Sequence, residues 1–291
     1  QTMTPLERPD SLGSKSTYSL QEVSELEKAR QTTTEKASQP LPPDRSPPPL
    51  GGIITQQSDV NFNGLVTKFV PVFGEYLTSR IVQPDNGRLP YLEENPQDIF
   101  ALRANSGFTR FDGPENRPAN ERCLGVPGQL PLIVQLPLDG PWRNMQIVQN
   151  KNYVVIYGEY HTSPRIVRIN SRHFEPAFPK FFGDSIGSWE GNTLVVHTKS
   201  FRPDQSNRRL RSSELLEVTE RYTPISEREL VLEFEISDPK IYSEVIKSRI
   251  TLQRMPTGQR LYESGCHEGN YSLPGILAGA RRQEIEANLA R

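Results

Sequence analysis

Between Met145 and Gln253 the chain passes through short segments in which apolar and polar side chains alternate, and no other feature constrains the fold as much. These segments are Met145–Gln149, Tyr153–Tyr160, Arg165–Ile169, Ser185–Glu190, Thr193–Ser200, Leu215–Tyr222, Glu229–Ile236 and Val245–Gln253. Successive side chains of an extended chain point to opposite faces, so a period of two reads as a strand with one dry and one wet face. In 230–236, Leu230, Leu232, Phe234 and Ile236 take one face, and Val231, Glu233 and Glu235 the other. Short loops join several segments, so neighbours are expected to pair antiparallel. The predicted fold is mainly β: an antiparallel β-barrel, lipocalin-like in character, with an extended N-terminal arm and a C-terminal helix. A two-residue turn at Gly191-Asn192 would pair Trp189 with Leu194 and Gly187 with Val196 on one face, and Ile186 with His197 on the other. Gly187 would then leave room for the Trp189 ring or a ligand.

Two parts are expected, an arm over 1–52 and a β-barrel domain with its C-terminal helix over 53–291. In the arm, Ser19 and Glu22 form a capping box ahead of Leu20, Val23 and Leu26, which predicts a helix over 19–32. The run from Pro40 to Pro49 cannot be helix or central strand and should be extended. Such an arm is either a mobile tether or a strap on a neighbour, so it offers a route to a homo-oligomer. The final helix is expected from about Leu273, with Pro274 in its first turn. Residues 104–143 hold six prolines and no sustained period, as in a lid or wrapping loop.

Thirty-four basic and 35 acidic side chains nearly cancel, with no basic stripe to bind nucleic acid. No apolar run approaches the ~18 residues of a membrane span. The sequence starts at Gln1 rather than Met, which reads as maturation by cleavage and hence as a secreted or periplasmic protein. Cys123 and Cys266 are the only cysteines, and their spacing leaves a bond and two free thiols equally open. A bond would close a loop of ~140 residues, with a stabilisation of up to ~5 kcal/mol in the chain-entropy description.

The segment Tyr262-Glu263-Ser264-Gly265-Cys266-His267-Glu268-Gly269-Asn270-Tyr271 concentrates chemistry-bearing side chains. Cys266 and His267 are adjacent and diverge on an extended chain, which argues against a Cys–His nucleophile pair. Glu159 and His161 lie two apart on one strand face and could act as an acid/base pair. Glu220 shares a face with Leu216, Val218 and Tyr222, so it should point inward and need a partner, for which Arg165 is the candidate. The candidate catalytic set is Glu159 or Glu220 as base, His161 or His267 as acid, and Arg165 for developing negative charge. Trp189, Glu268 and Tyr271 are the candidate ligand-binding residues. His173, in a loop rich in Pro and Phe, reads as scaffold. No phosphate loop, nucleophile elbow, His-Glu-x-x-His or paired Cys-x-x-Cys appears. A metal-dependent variant would use Glu159, His161 and His267, but no metal or cofactor is assigned.

At Asp85-Asn86-Gly87-Arg88-Leu89-Pro90, Glu121-Arg122-Cys123, Gly183-Asp184-Ser185, Trp189-Glu190-Gly191-Asn192-Thr193-Leu194-Val195-Val196, Glu220-Arg221-Tyr222-Thr223 and Cys266-His267-Glu268-Gly269-Asn270-Tyr271, the chain resembles a large family of uncharacterised secreted bacterial proteins. The resemblance covers most of the chain from about residue 77. It implies export and a Cys123–Cys266 bridge, since both cysteines fall inside shared motifs. Relatives carry Asp at Asn192 and an acid at His197, and their His-Asp-x-Arg stretch is one residue longer here, at His161 to Arg165. The expectation is therefore a secreted or periplasmic protein acting on a small, partly apolar molecule by general acid/base chemistry, of lyase, hydratase, isomerase or hydrolase type. The alternative is a non-catalytic binding protein, or a subunit of an extracellular assembly that uses its proline-rich arm.

Overall fold

The computed structural model describes residues 2–37, 39, 66–92, 107–117, 121–124, 144–158, 164–202, 211–261 and 265–290. Nine strands form one sheet: β3 (Ile81–Gln83), β4 (Met145–Gln149), β5 (Tyr153–Gly158), β6 (Pro164–Ile169), β7 (Asp184–Glu190), β8 (Thr193–Lys199), β9 (Glu217–Pro224), β10 (Glu229–Ser237) and β11 (Ile246–Gln253). Their order is β3-β11-β10-β9-β8-β7-β6-β5-β4. Two-residue strands β1 (Thr17–Tyr18) and β2 (Tyr76–Leu77) pair separately. Helix α1 spans Leu20–Ala37 and helix α2 spans Ser272–Leu289. No described helix is long and apolar enough to cross a membrane.

The alternating segments form the sheet strands because each can bury one face. Val154, Ile156, Val167, Val196, Val218, Leu232, Phe234 and Ile246 are at most 1% exposed and pack into one cluster. Burying each such side chain contributes roughly 1.5–3 kcal/mol. The hairpin register is the expected one, with Trp189 opposite Leu194, Gly187 opposite Val196 and Ile186 opposite His197. Ser19 and Glu22 form the capping box: the Ser19 N–H donates to Glu22 at 2.9 Å and the Glu22 N–H to Ser19 Oγ at 3.3 Å.

Two expectations need correction. First, β6 and β7 are parallel. The 14 residues between them, 170–183, are long enough to cross over, whereas a tight hairpin would have forced antiparallel pairing. Second, no closed barrel forms among the described residues: β3 and β4 end the sheet and do not pair with each other. Strand β3 has three residues and meets β11 across a register shift, so it offers little edge to close against. The sheet curls nonetheless, because Met145 of β4 and Ile250 and Leu252 of β11 line one cleft.

The other face of β10 is dry at one point. Val231 is fully buried beneath Val72, Leu77 and Val82. The N-terminal residues hold this cover in place. Arg8, 4% exposed, donates to Thr78 Oγ1 at 3.1 Å and to the Asp85 carbonyl at 2.7 Å, and Arg80 Nε donates to the Thr4 carbonyl at 2.9 Å. Residues 2–18 are thus strapped to the body; the proline-rich run lies outside the described residues.

Gly187 does not make room for a tryptophan. A Cβ there would come within 2.8 Å of Val167 Cγ1 and 3.2 Å of Ile169 Cδ1, so the glycine lets β6 and β7 close together. Trp189 itself is 45% exposed at the end of β7. Gly187→Ala should destabilise the protein by about 1–3 kcal/mol through overpacking, read by urea denaturation. An unchanged midpoint would mean that β6 gives way without cost.

Candidate functional site

Strands β6 to β9 carry two polar networks on opposite faces. The inner one follows from register. Ser185 lies opposite Thr198, and Val196 opposite Glu220, so Ser185, Thr198 and Glu220 share the dry face with Arg165. Arg165 is 2% exposed and Glu220 is fully buried. Arg165 Nη1 donates to Glu220 Oε1 at 3.0 Å and Nη2 donates to Oε2, a two-point ion pair. Arg165 also donates to Ser185 Oγ at 3.1 Å and Thr198 Oγ1 at 3.2 Å, and the Tyr222 hydroxyl donates to Glu220 Oε1 at 2.9 Å. Burial opposes the Arg165 charge, but the carboxylate beside it outweighs burial and holds the guanidinium above its usual range. Burial, reinforced by the same carboxylate, pushes the Tyr222 phenol well up. Arg165 and Glu220 therefore answer each other in a buried pair.

The outer network joins Asp184, at the start of β7, to His197 on β8 through His173 in the 170–183 connection. His173 Nδ1 lies 3.0 Å from Asp184 Oδ2, and His173 Nε2 lies 2.9 Å from His197 Nδ1. His197 Nε2 lies 3.2 Å from Glu217 Oε2. The rings meet edge to face, with centroids 5.0 Å apart. Asp184 also accepts from both Arg168 Nη2 contacts at 3.0 Å and from the Phe174 N–H at 3.0 Å. The Arg168 guanidinium lies 3.9 Å over the Phe174 ring, which braces that corner. Side-chain exposure rises along the row, from 4% at Asp184 and 11% at His173 to 34% at His197 and 53% at Glu217.

A proton count shows what this row can do. Asp184 and Glu217, when ionised, only accept hydrogen bonds. Three gaps each need one proton, and two neutral imidazoles carry one each. The complete row therefore holds one extra proton, shared by the two rings. A second extra proton would set two N–H groups against each other at the 2.9 Å contact and break the row. Burial, helped by the charge on His197, lowers the His173 pKa. Burial works against the Asp184 charge, but the Phe174 N–H, His173 and Arg168 outweigh it and lower its pKa.

Gly183 seats Asp184. Its φ is +66°, and a Cβ there would meet Phe201, Thr198 and the Lys199 carbonyl at 2.6–2.8 Å.

His173, read from the sequence as scaffold, links Asp184 to His197, and the row Asp184, His173, His197 and Glu217 is one that sequence reasoning did not name. The hairpin register already placed Asp184 and His197 on one face; the crossing loop that brings in His173 left no local signal. Glu159 and His161 lie outside the described residues.

His267, Glu268 and Tyr271 share an exposed turn after the Cys123–Cys266 disulfide, whose Cα atoms are 5.8 Å apart. Tyr271 is 81% exposed. Among the described residues, no hydrogen bond, ion pair or ring contact joins His267 to Glu220, or Trp189 to Glu268 or Tyr271. Also among the described residues, no group of three or more His, Cys, Asp or Glu is arranged to hold a metal ion. No family model, curated protein or solved structure matches the chain.

Proposed function

We propose that this is an exported protein that performs general acid/base chemistry on a small, partly apolar molecule, with His197 as the proton-exchanging group. One observation carries the reading: a continuous hydrogen-bonded row that starts at buried Asp184, passes through His197, 34% exposed, and ends at the more exposed Glu217. Glu217 is the most exposed member, so a substrate group can displace it from His197 Nε2. His173 and Asp184 are positioning residues that hold His197 Nδ1 and accept or return the shared proton. Phe174, 46% exposed beside His173, offers an apolar flank. The disulfide and the resemblance to secreted proteins support export, since such bonds persist in oxidising compartments.

The test has two parts. Imidazole 15N spectra across pH 4–9 should show the two rings taking up one proton between them before the row breaks. Two independent titrations would sink the reading. Incubation with a mixture of small hydroxy acids, enones, esters and epoxides, followed by mass spectrometry, should reveal turnover that His197→Gln lowers by about 10²–10⁴-fold. No turnover, or equal turnover in the variant, also ends it.

The same groups set an acid limit on stability. Asp184, lowered from 3.8, contributes stability that is complete above that value and lost as pH falls through its folded pKa. His173, lowered from 6.5, is harder to protonate folded than unfolded, so its contribution is complete above 6.5 and declines as pH falls toward its folded pKa. Stability should therefore fall on acidification below about pH 6.5, and His173→Gln should flatten the upper part of that fall. A curve unchanged by the substitution would contradict the assignment.

A further inference from the structure

The curl of the sheet leaves a cleft of about 870 Å³ between β4 and β11, away from the histidine row. That volume lies within the range of small-molecule sites. Its apolar wall is Met145 and Ile147 from β4 and Ile250 and Leu252 from β11. Among the described residues, no aromatic side chain lines it.

The charge on the wall is one-sided. Arg80, Arg228 and Arg254 face a single carboxylate, Glu227. Arg80 is 4% exposed and tied to the Thr4 carbonyl, so it is a fixed part of the wall. Arg228 and Arg254 are exposed, and the Arg254 N–H donates to the Arg228 carbonyl at 2.8 Å, which sets the two residues side by side. Among the described residues, neither guanidinium has an ion-pair partner. Two adjacent unpaired cations at the end of an apolar wall match a molecule with one anionic end and an apolar tail.

We propose that this cleft binds a small amphipathic carboxylate, its tail along Met145, Ile147, Ile250 and Leu252 and its carboxylate between Arg228 and Arg254. The proposal stands apart from the acid/base reading, because it concerns binding and none of its residues belongs to the histidine row. The test is isothermal titration of the full chain with decanoate, with decan-1-ol as the uncharged control. Decanoate should bind saturably at one site. Decan-1-ol, and decanoate with the Arg228→Gln/Arg254→Gln variant, should each bind at least about tenfold more weakly, as expected when charge-assisted hydrogen bonds are lost. Ile147→Asn, at a 41% exposed position, should weaken both ligands without unfolding the sheet. No saturable binding of decanoate overturns the proposal. So does equal affinity of the double variant, which would mean that apolar contact alone holds the probe.

Discussion

Glu220→Ala should lose about 3–5 kcal/mol of stability, the cost of leaving a buried charge without its partner. Arg165 would remain 2% exposed, with its two strongest acceptors removed and only the Ser185 and Thr198 hydroxyls to replace them. Neither hydroxyl carries charge. Tyr222 would lose its acceptor in the same step. Replacing both ends, as in Arg165→Met with Glu220→Leu, should recover much of the loss, because apolar groups of similar volume do not need desolvated partners. Urea denaturation of the three proteins measures this directly. If Glu220→Ala unfolds within about 1 kcal/mol of the parent, water enters the site and the pair is not sealed.

Removing the disulfide should have the second large effect. The bond spans 143 residues, and a loop of that size is worth up to about 5 kcal/mol through the restricted unfolded chain. Among the described residues, the other contacts around it are polar. Asn270 Nδ2 donates to the Glu121 carbonyl at 2.7 Å, Arg281 donates to the Phe111 carbonyl at 2.9 Å, and α2 has no buried residue. Cys123→Ser/Cys266→Ser should therefore lower the unfolding midpoint, and limited proteolysis should cut the 265–290 region first. Equal proteolysis rates with and without reductant would show that other contacts hold this region.

The two networks differ in how far they could be read in advance. Glu220 was legible as an inward carboxylate because it alternates with Leu216, Val218 and Tyr222, and Arg165 because it alternates with Val167 and Ile169. Two opposite charges on the dry face of one sheet, here on β6 and β9 with two strands between them, must meet or be neutralised, so local periodicity reached a tertiary contact. The histidine row had no such handle. Its residues are 11 to 24 positions apart, and His173 sits in a loop without a period. Closure of the barrel, not found among the described residues, lay beyond the sequence for a related reason. Alternation marks which face of a strand is dry, but says nothing about whether the first and last strands meet.

The sequence by itself determined the strands, their dry faces, the Gly191-Asn192 hairpin register, the Ser19–Glu22 cap and the inward Glu220. Each of these depends on covalent geometry or on residues a few positions apart. Only the tertiary structure decided the parallel β6–β7 step, the His173–His197 contact, the Cys123–Cys266 bond and the cleft between β4 and β11. Those depend on loop paths and on the curl of the whole sheet, where small local preferences compete with packing over more than a hundred residues.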